Sequence, residues 1–71
     1  MTIEQMREMN AARPFRPYTV HLADGRSLDV DHPEFLMVSR NDRTIILDDV
    51  DGNIEIIDPM LVTSLSIASV P

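Results

Sequence analysis

Tyr18-Thr19-Val20-His21-Leu22-Ala23-Asp24-Gly25-Arg26-Ser27-Leu28-Asp29-Val30 is the stretch that sets the fold class. Tyr18, Val20 and Leu22 alternate with Thr19, His21 and Ala23, the period-2 pattern of a strand with one buried face. Asp24-Gly25 then marks a tight hairpin, because glycine takes a positive φ without a Cβ clash. The return strand puts Leu28 and Val30 on one face and Ser27, Asp29 and Asp31 on the other. Strand, turn and strand predict an antiparallel hairpin.

Toward the C-terminus the strand pattern continues. The second strand is expected over about residues 27–38, bent or interrupted at Pro33, which has no amide hydrogen to give a ladder. Glu34 through Val38 reads as apolar on both faces, as in a strand covered twice. Asn41-Asp42 marks a turn, and β-branched residues over about 44–48 predict a third strand. An acidic turn around Asp51-Gly52 leads to a fourth strand at about 54–58. Asp58-Pro59 breaks the pattern, and a fifth strand follows at about 62–69. The last thirteen residues, Pro59 to Pro71, carry no charge. An edge strand without a charged residue invites pairing, so this one is expected to pair inside a barrel or with a neighbouring subunit.

Toward the N-terminus the period changes to that of a helix, over about residues 2–12. Thr2 and Gln5 form a capping box, and Ile3, Met6 and Met9 make one apolar stripe. Pro14 ends the helix. A helix this short is marginal alone, so its stripe must pack on the strands. The expectation is a single domain over residues 1–71, mainly β. It has a short N-terminal helix and then a five-stranded, strongly bent antiparallel sheet or small barrel.

Composition narrows the function. A chain of 71 residues has a core worth only about 3–5 kcal/mol of net stability. It has no cysteine, which excludes a disulfide and a thiolate metal site and leaves oligomerisation as the available reinforcement. Twelve acidic residues against six arginines give a net charge of −6, unfavourable for non-specific contact with nucleic acid or anionic membranes. No run is apolar for the ~18 residues of a membrane span, and MTIEQMREMN lacks the features of a signal peptide, so a cytoplasmic location is expected.

The chemistry-bearing residues form no catalytic set. Asp48, Asp49, Asp51 and Glu55 suggest a calcium loop, but with Gly52 at the sixth position Leu47 falls on the first ligand. His21 and His32 are too few for a metal site. There is no nucleophile triad and no glycine-rich phosphate loop. The expected protein is not an enzyme and carries no cofactor or metal. It is a binding or assembly module that forms a homo-oligomer through its last strands, with Ile54, Ile56, Val62, Leu65 and Ile67 as candidate interface residues. The acidic turn at Asp48 to Asp51 offers a third role, steering of a basic partner.

A helix followed by five strands, with Val20-His21-Leu22-Ala23-Asp24-Gly25-Arg26-Ser27-Leu28 at the first hairpin, resembles the Sm-like family, including bacterial Hfq. Val62-Thr63-Ser64-Leu65-Ser66-Ile67 resembles the family's last strand. The chain also resembles small uncharacterised bacterial proteins bearing Arg-Pro-Phe-x-Pro, Leu-x-Asp-Gly and His-Pro-Glu-Phe, here at Arg13 to Pro17, Leu22 to Gly25 and His32 to Phe35. The Sm-like resemblance implies a bent barrel that closes into a ring through its last two strands and binds single-stranded RNA. On that reading His32, Phe35, Arg40 and Asn41 supply a stacking ring and donors near two loops, with Arg16 as an outer contact. The plainer reading makes Phe35 a core residue and Arg40-Asn41 a turn. Two departures disfavour RNA. Asp58-Pro59 stands where the Hfq pattern has Lys-His, and a carboxylate there repels phosphate. Val30 replaces the glycine that lets the second strand bend, although Pro33 can do a similar job.

Overall fold

In the computed structural model, which describes residues 2–67, one helix precedes six short strands. Helix α1 (Ile3–Ala11) starts at the expected capping box. The Gln5 N–H donates to Thr2 Oγ1 at 3.2 Å, and the Thr2 N–H donates to Gln5 Oε1 at 2.9 Å. Two donors that a helix start leaves unpaired are thereby satisfied. Met6 is fully buried, with Ile3 and Met9 packed beside it, so the stripe docks this short helix on the strands.

The strands are β1 (Tyr18–Leu22), β2 (Ser27–Val30), β3 (Leu36–Val38), β4 (Ile45–Asp48), β5 (Ile54–Ile57) and β6 (Val62–Ile67). They form two antiparallel three-stranded sheets, a first in the order β2-β1-β6 and a second in the order β3-β4-β5. Gly25 has φ +94° in the β1–β2 hairpin, the conformation the Asp-Gly signal required. The Arg26 N–H, with its guanidinium alongside, holds the exposed Asp24 carboxyl below the usual carboxylate range.

Two expectations are corrected here. The strand expected over residues 27–38 is two strands separated by a 3-10 turn at Pro33–Phe35. Proline suits the first position of such a turn, where no N–H is needed. The turn closes through the Phe35 N–H to His32 O at 3.1 Å and the Leu36 N–H to Pro33 O. The fold is therefore mainly β with two small sheets in place of one five-stranded sheet. The second correction concerns Met37 on β3, which is 56% exposed, so this strand is covered on one face only. The last strand is described as far as Ile67, and its expected continuation to residue 69 lies outside the described residues.

One core joins the sheets. Tyr18, Val20, Leu22 and Val30 come from the first sheet, and Leu36, Ile45, Leu47 and Ile57 from the second, with Met6 and Val62 in the same cluster. Asn10 ties α1 to β1 and to the segment from Pro33 to Leu36. Its Nδ2 donates to Pro33 O at 3.0 Å and Leu36 O at 3.3 Å, and its Oδ1 accepts from the Tyr18 hydroxyl at 3.0 Å. At the other end, the Ala23 N–H donates to Leu61 O at 2.8 Å, and Arg26 pairs with Glu55 at 3.3 Å. The β1–β2 turn is thus tied to β5 and to a second 3-10 turn at Pro59–Leu61.

Candidate functional site

The buried side chains form one core, which leaves the outer faces and edges of the sheets as the surfaces open to contact. Directly opposed residues in an antiparallel pair share a face. By register, the outer face of the first sheet carries Thr19 and His21 from β1, Ser27 and Asp29 from β2, and Ser64 and Ser66 from β6. His21 is hydrogen-bonded through Nδ1 to Ser27 Oγ at 2.9 Å and through Nε2 to Ser66 Oγ at 2.7 Å. The Thr19 hydroxyl donates to Asp29 Oδ1 at 2.8 Å. This face is polar, and its groups bond one another across all three strands.

The second sheet is the reverse. Met37, Ile46 and Ile56 lie opposite one another across β3, β4 and β5, and Ile54 lies opposite Asp48. Met37 is 56% exposed, Ile54 65% and Ile56 73%. An apolar row thus crosses the sheet on its outer face. Isolated apolar residues on a surface are ordinary, whereas a contiguous row marks a surface suited to contact.

The sheet edges differ as well. Among the described residues β5 pairs only with β4, and β6 only with β1, so each has one edge without a partner strand there. The edge strand β2 carries Asp29, β3 has only three residues, and Glu55 of β5 is held by Arg26. β6 has six residues, none of them charged. Alongside it runs an open groove of about 620 Å³ between α1 and β6, lined by Gln5, Glu8, Met9 and Ala12 of the helix side and by Leu65 of the strand. β6 therefore lacks the charges and the brevity that keep edge strands from pairing.

Of the interface candidates, Ile54 and Ile56 belong to the exposed row and Ile67 is 39% exposed. Leu65 is half-buried against the core and Val62 is buried, so Val62 contributes only backbone to an edge. Among the RNA candidates, His32 and Phe35 meet edge to face with centroids 5.3 Å apart. Phe35 is 36% exposed and stands outside the core cluster, against the plainer reading of it as a core residue. Asn41 serves the turn, its Oδ1 accepting from Ser39 Oγ and the Arg43 N–H. Arg40-Asn41 and His32-Phe35 stand at opposite ends of the three-residue strand β3. Arg16 is exposed in the segment between α1 and β1.

Met37 and Ile46 were absent from the sequence-based site. Their signal is that β3, β4 and β5 show apolar residues at consecutive positions where β1 alternates. Among the described residues no group of three or more metal-ligating side chains occurs, and no helix is long and apolar enough to cross a membrane. No protein-family model matches the sequence, and no curated protein or solved structure matches it either.

Proposed function

We propose that this chain is a non-catalytic assembly module, an Sm-like small barrel of the cytoplasm that self-associates through its last strands. The observation that carries the reading is the open edge of β6, six residues long, uncharged and bordered by a groove in which Met9, Ala12 and Leu65 sit beside Gln5 and Glu8. An extended strand added there gains main-chain hydrogen bonds, and alternate side chains enter the groove. The unpaired edge of β5 on a second copy is such a strand. A head-to-tail contact of this kind makes rings when the rotation closes. The barrel reading draws support from the strand orders β6-β1-β2 and β3-β4-β5. These are what one bent sheet becomes when its long strand is cut at Pro33.

Light scattering on a sizing column tests the proposal. The wild type is expected at a mass of roughly five to seven protomers. Ile67→Lys, which puts a charge beside the open edge, is expected to lower that mass while the far-UV spectrum is kept. A folded variant of unchanged mass overturns the edge contact.

A second reading, single-stranded RNA binding, draws on the exposed His32-Phe35 pair. The net charge of −6 and the Asp58 carboxylate oppose it. Titration with short A-rich and U-rich RNAs at two salt concentrations separates the two readings. RNA binding that weakens with salt and is lost in Phe35→Ala would favour the second.

A further inference from the structure

The outer face of the second sheet points to a contact that edge pairing does not use. Its apolar row, Met37-Ile46-Ile56, lies near the middle of the strands. The two ends of this sheet differ in charge. Arg40 and Arg43 stand in the β3–β4 turn, and neither forms an ion pair among the described residues. Two acids share that end: Asp42 is bonded to Arg7, and Asp58 accepts from the Met60 N–H at 2.9 Å but keeps its charge, so the end is net positive. The opposite end holds Asp48, the last residue of β4, Asp49 and Asp51 of the β4–β5 turn, and Glu34 just before β3, and none of these four is ion-paired among the described residues.

We infer that this face packs against the same face of a second copy, about a two-fold axis lying along the row Met37-Ile46-Ile56. Two in-plane axes bring a sheet face onto itself with the strands of the two copies aligned. An axis parallel to the strands stacks four carboxylates on four carboxylates. An axis along the row reverses the strand direction and sets each Arg40-Arg43 turn over the partner's Asp48-Asp51 turn. Charge therefore selects the second axis and identifies a copy of this chain as the occupant, since like charges brought together across a contact are strongly disfavoured. Along that axis Met37, Ile46 and Ile56 each meet their own counterpart, the self-complementarity an isologous contact requires. Packed sheets stand about 10 Å apart, which leaves room for these side chains to interdigitate. Three short strands offer less than the ~800 Å² per partner of a standard interface, so the pair dissociates on dilution.

This inference does not rest on edge pairing, and its test is run both in the wild type and in Ile67→Lys. Sedimentation equilibrium from about 10 μM to 1 mM is expected to show dimers of the basic unit in both backgrounds. Met37→Asp is expected to weaken that step by about tenfold or more, because it buries a charge in the row. R40E/R43E and D48R/D51R change only exposed side chains that form no hydrogen bond among the described residues, so they report on association with little risk to folding. Each alone is expected to self-associate less, and their equimolar mixture to associate better than either part, because positions 40 and 43 of one variant again oppose unlike charge at positions 48 and 51 of the other. Two results overturn the inference: no pairing up to about 1 mM, or a mixture that associates no better than its parts.

Discussion

β1 and β4 occupy equivalent places in the two halves of the molecule. Each is the middle strand of a three-stranded antiparallel sheet, and each sends fully buried residues into the shared core, Val20 from one and Ile45 and Leu47 from the other. Outward they differ. β1 shows Thr19 and His21, bonded to polar neighbours on both sides, while β4 shows Ile46 between two exposed apolar residues. Inward positions are set by the core, which both sheets need equally. Outward positions record what each sheet faces, and in an 8 kDa chain an apolar outer face points to a contact beyond the chain's own core.

The largest effect should fall on the inward set, where the sheets are alike. Leu22→Ala in β1 and Leu47→Ala in β4 are each expected to cost about 2–5 kcal/mol in urea unfolding, enough to leave a domain of this size mostly unfolded. A cost confined to one of them would mean that the sheets do not share a core.

Asn10→Ala sharpens the same point with a smaller effect. It removes the acceptor of the Tyr18 hydroxyl and the donor to the Pro33 and Leu36 carbonyls, and is expected to cost about 1–3 kcal/mol. Burial pushes the Tyr18 hydroxyl up from 10.0 to about 12. The folded state holds that proton more tightly than the unfolded chain. Its contribution to stability is therefore complete below pH 10 and is lost as the pH rises toward about 12. This is the chain's one tyrosine, so phenolate absorbance reads the titration directly. In Asn10→Ala the midpoint is expected to fall, and an unchanged midpoint would place the hydroxyl's burial elsewhere.

The smallest effect on folding belongs to the outer row. Ile56→Thr gives the second sheet an outward residue of the kind the first sheet carries. In dilute protein it is expected to change stability by less than about 0.5 kcal/mol. Binding of a hydrophobic dye is expected to drop. A large loss of stability in dilute monomer would show that Ile56 is part of the fold and that the two outer faces do not differ in the way described.

How much the sequence disclosed follows the same division. Helix α1 and the β1–β2 hairpin were legible because Thr2-Gln5 and Asp24-Gly25 carry local, mechanistic signals and Tyr18 to Leu22 alternates cleanly. The break at Pro33 was legible, but the 3-10 turn was not, because a missing donor marks an interruption without specifying its geometry. The outer row was hidden by its own composition. Leu36-Met37-Val38 and Ile45-Ile46-Leu47 read alike for a strand buried on both faces and for one whose second face awaits a partner. Ile54 and Ile56 were legible as candidates, while Met37 and Ile46 were lost to that ambiguity. Asn10 gives no periodic signal, since its role comes from three elements meeting in space.

The pairing of β1 with both β2 and β6 has a consequence for the order of events during folding. The hairpin partner follows β1 within a few residues, but the partner on its other side is the last strand of the described residues. Until β6 docks, one edge of β1 and the core side of Val20 and Leu22 lack their final cover. The β3-β4-β5 sheet closes through short turns, and local contacts form faster than distant ones. A folding chain is therefore expected to complete its second sheet before its first, and in that interval to be most exposed to mispairing with a second chain.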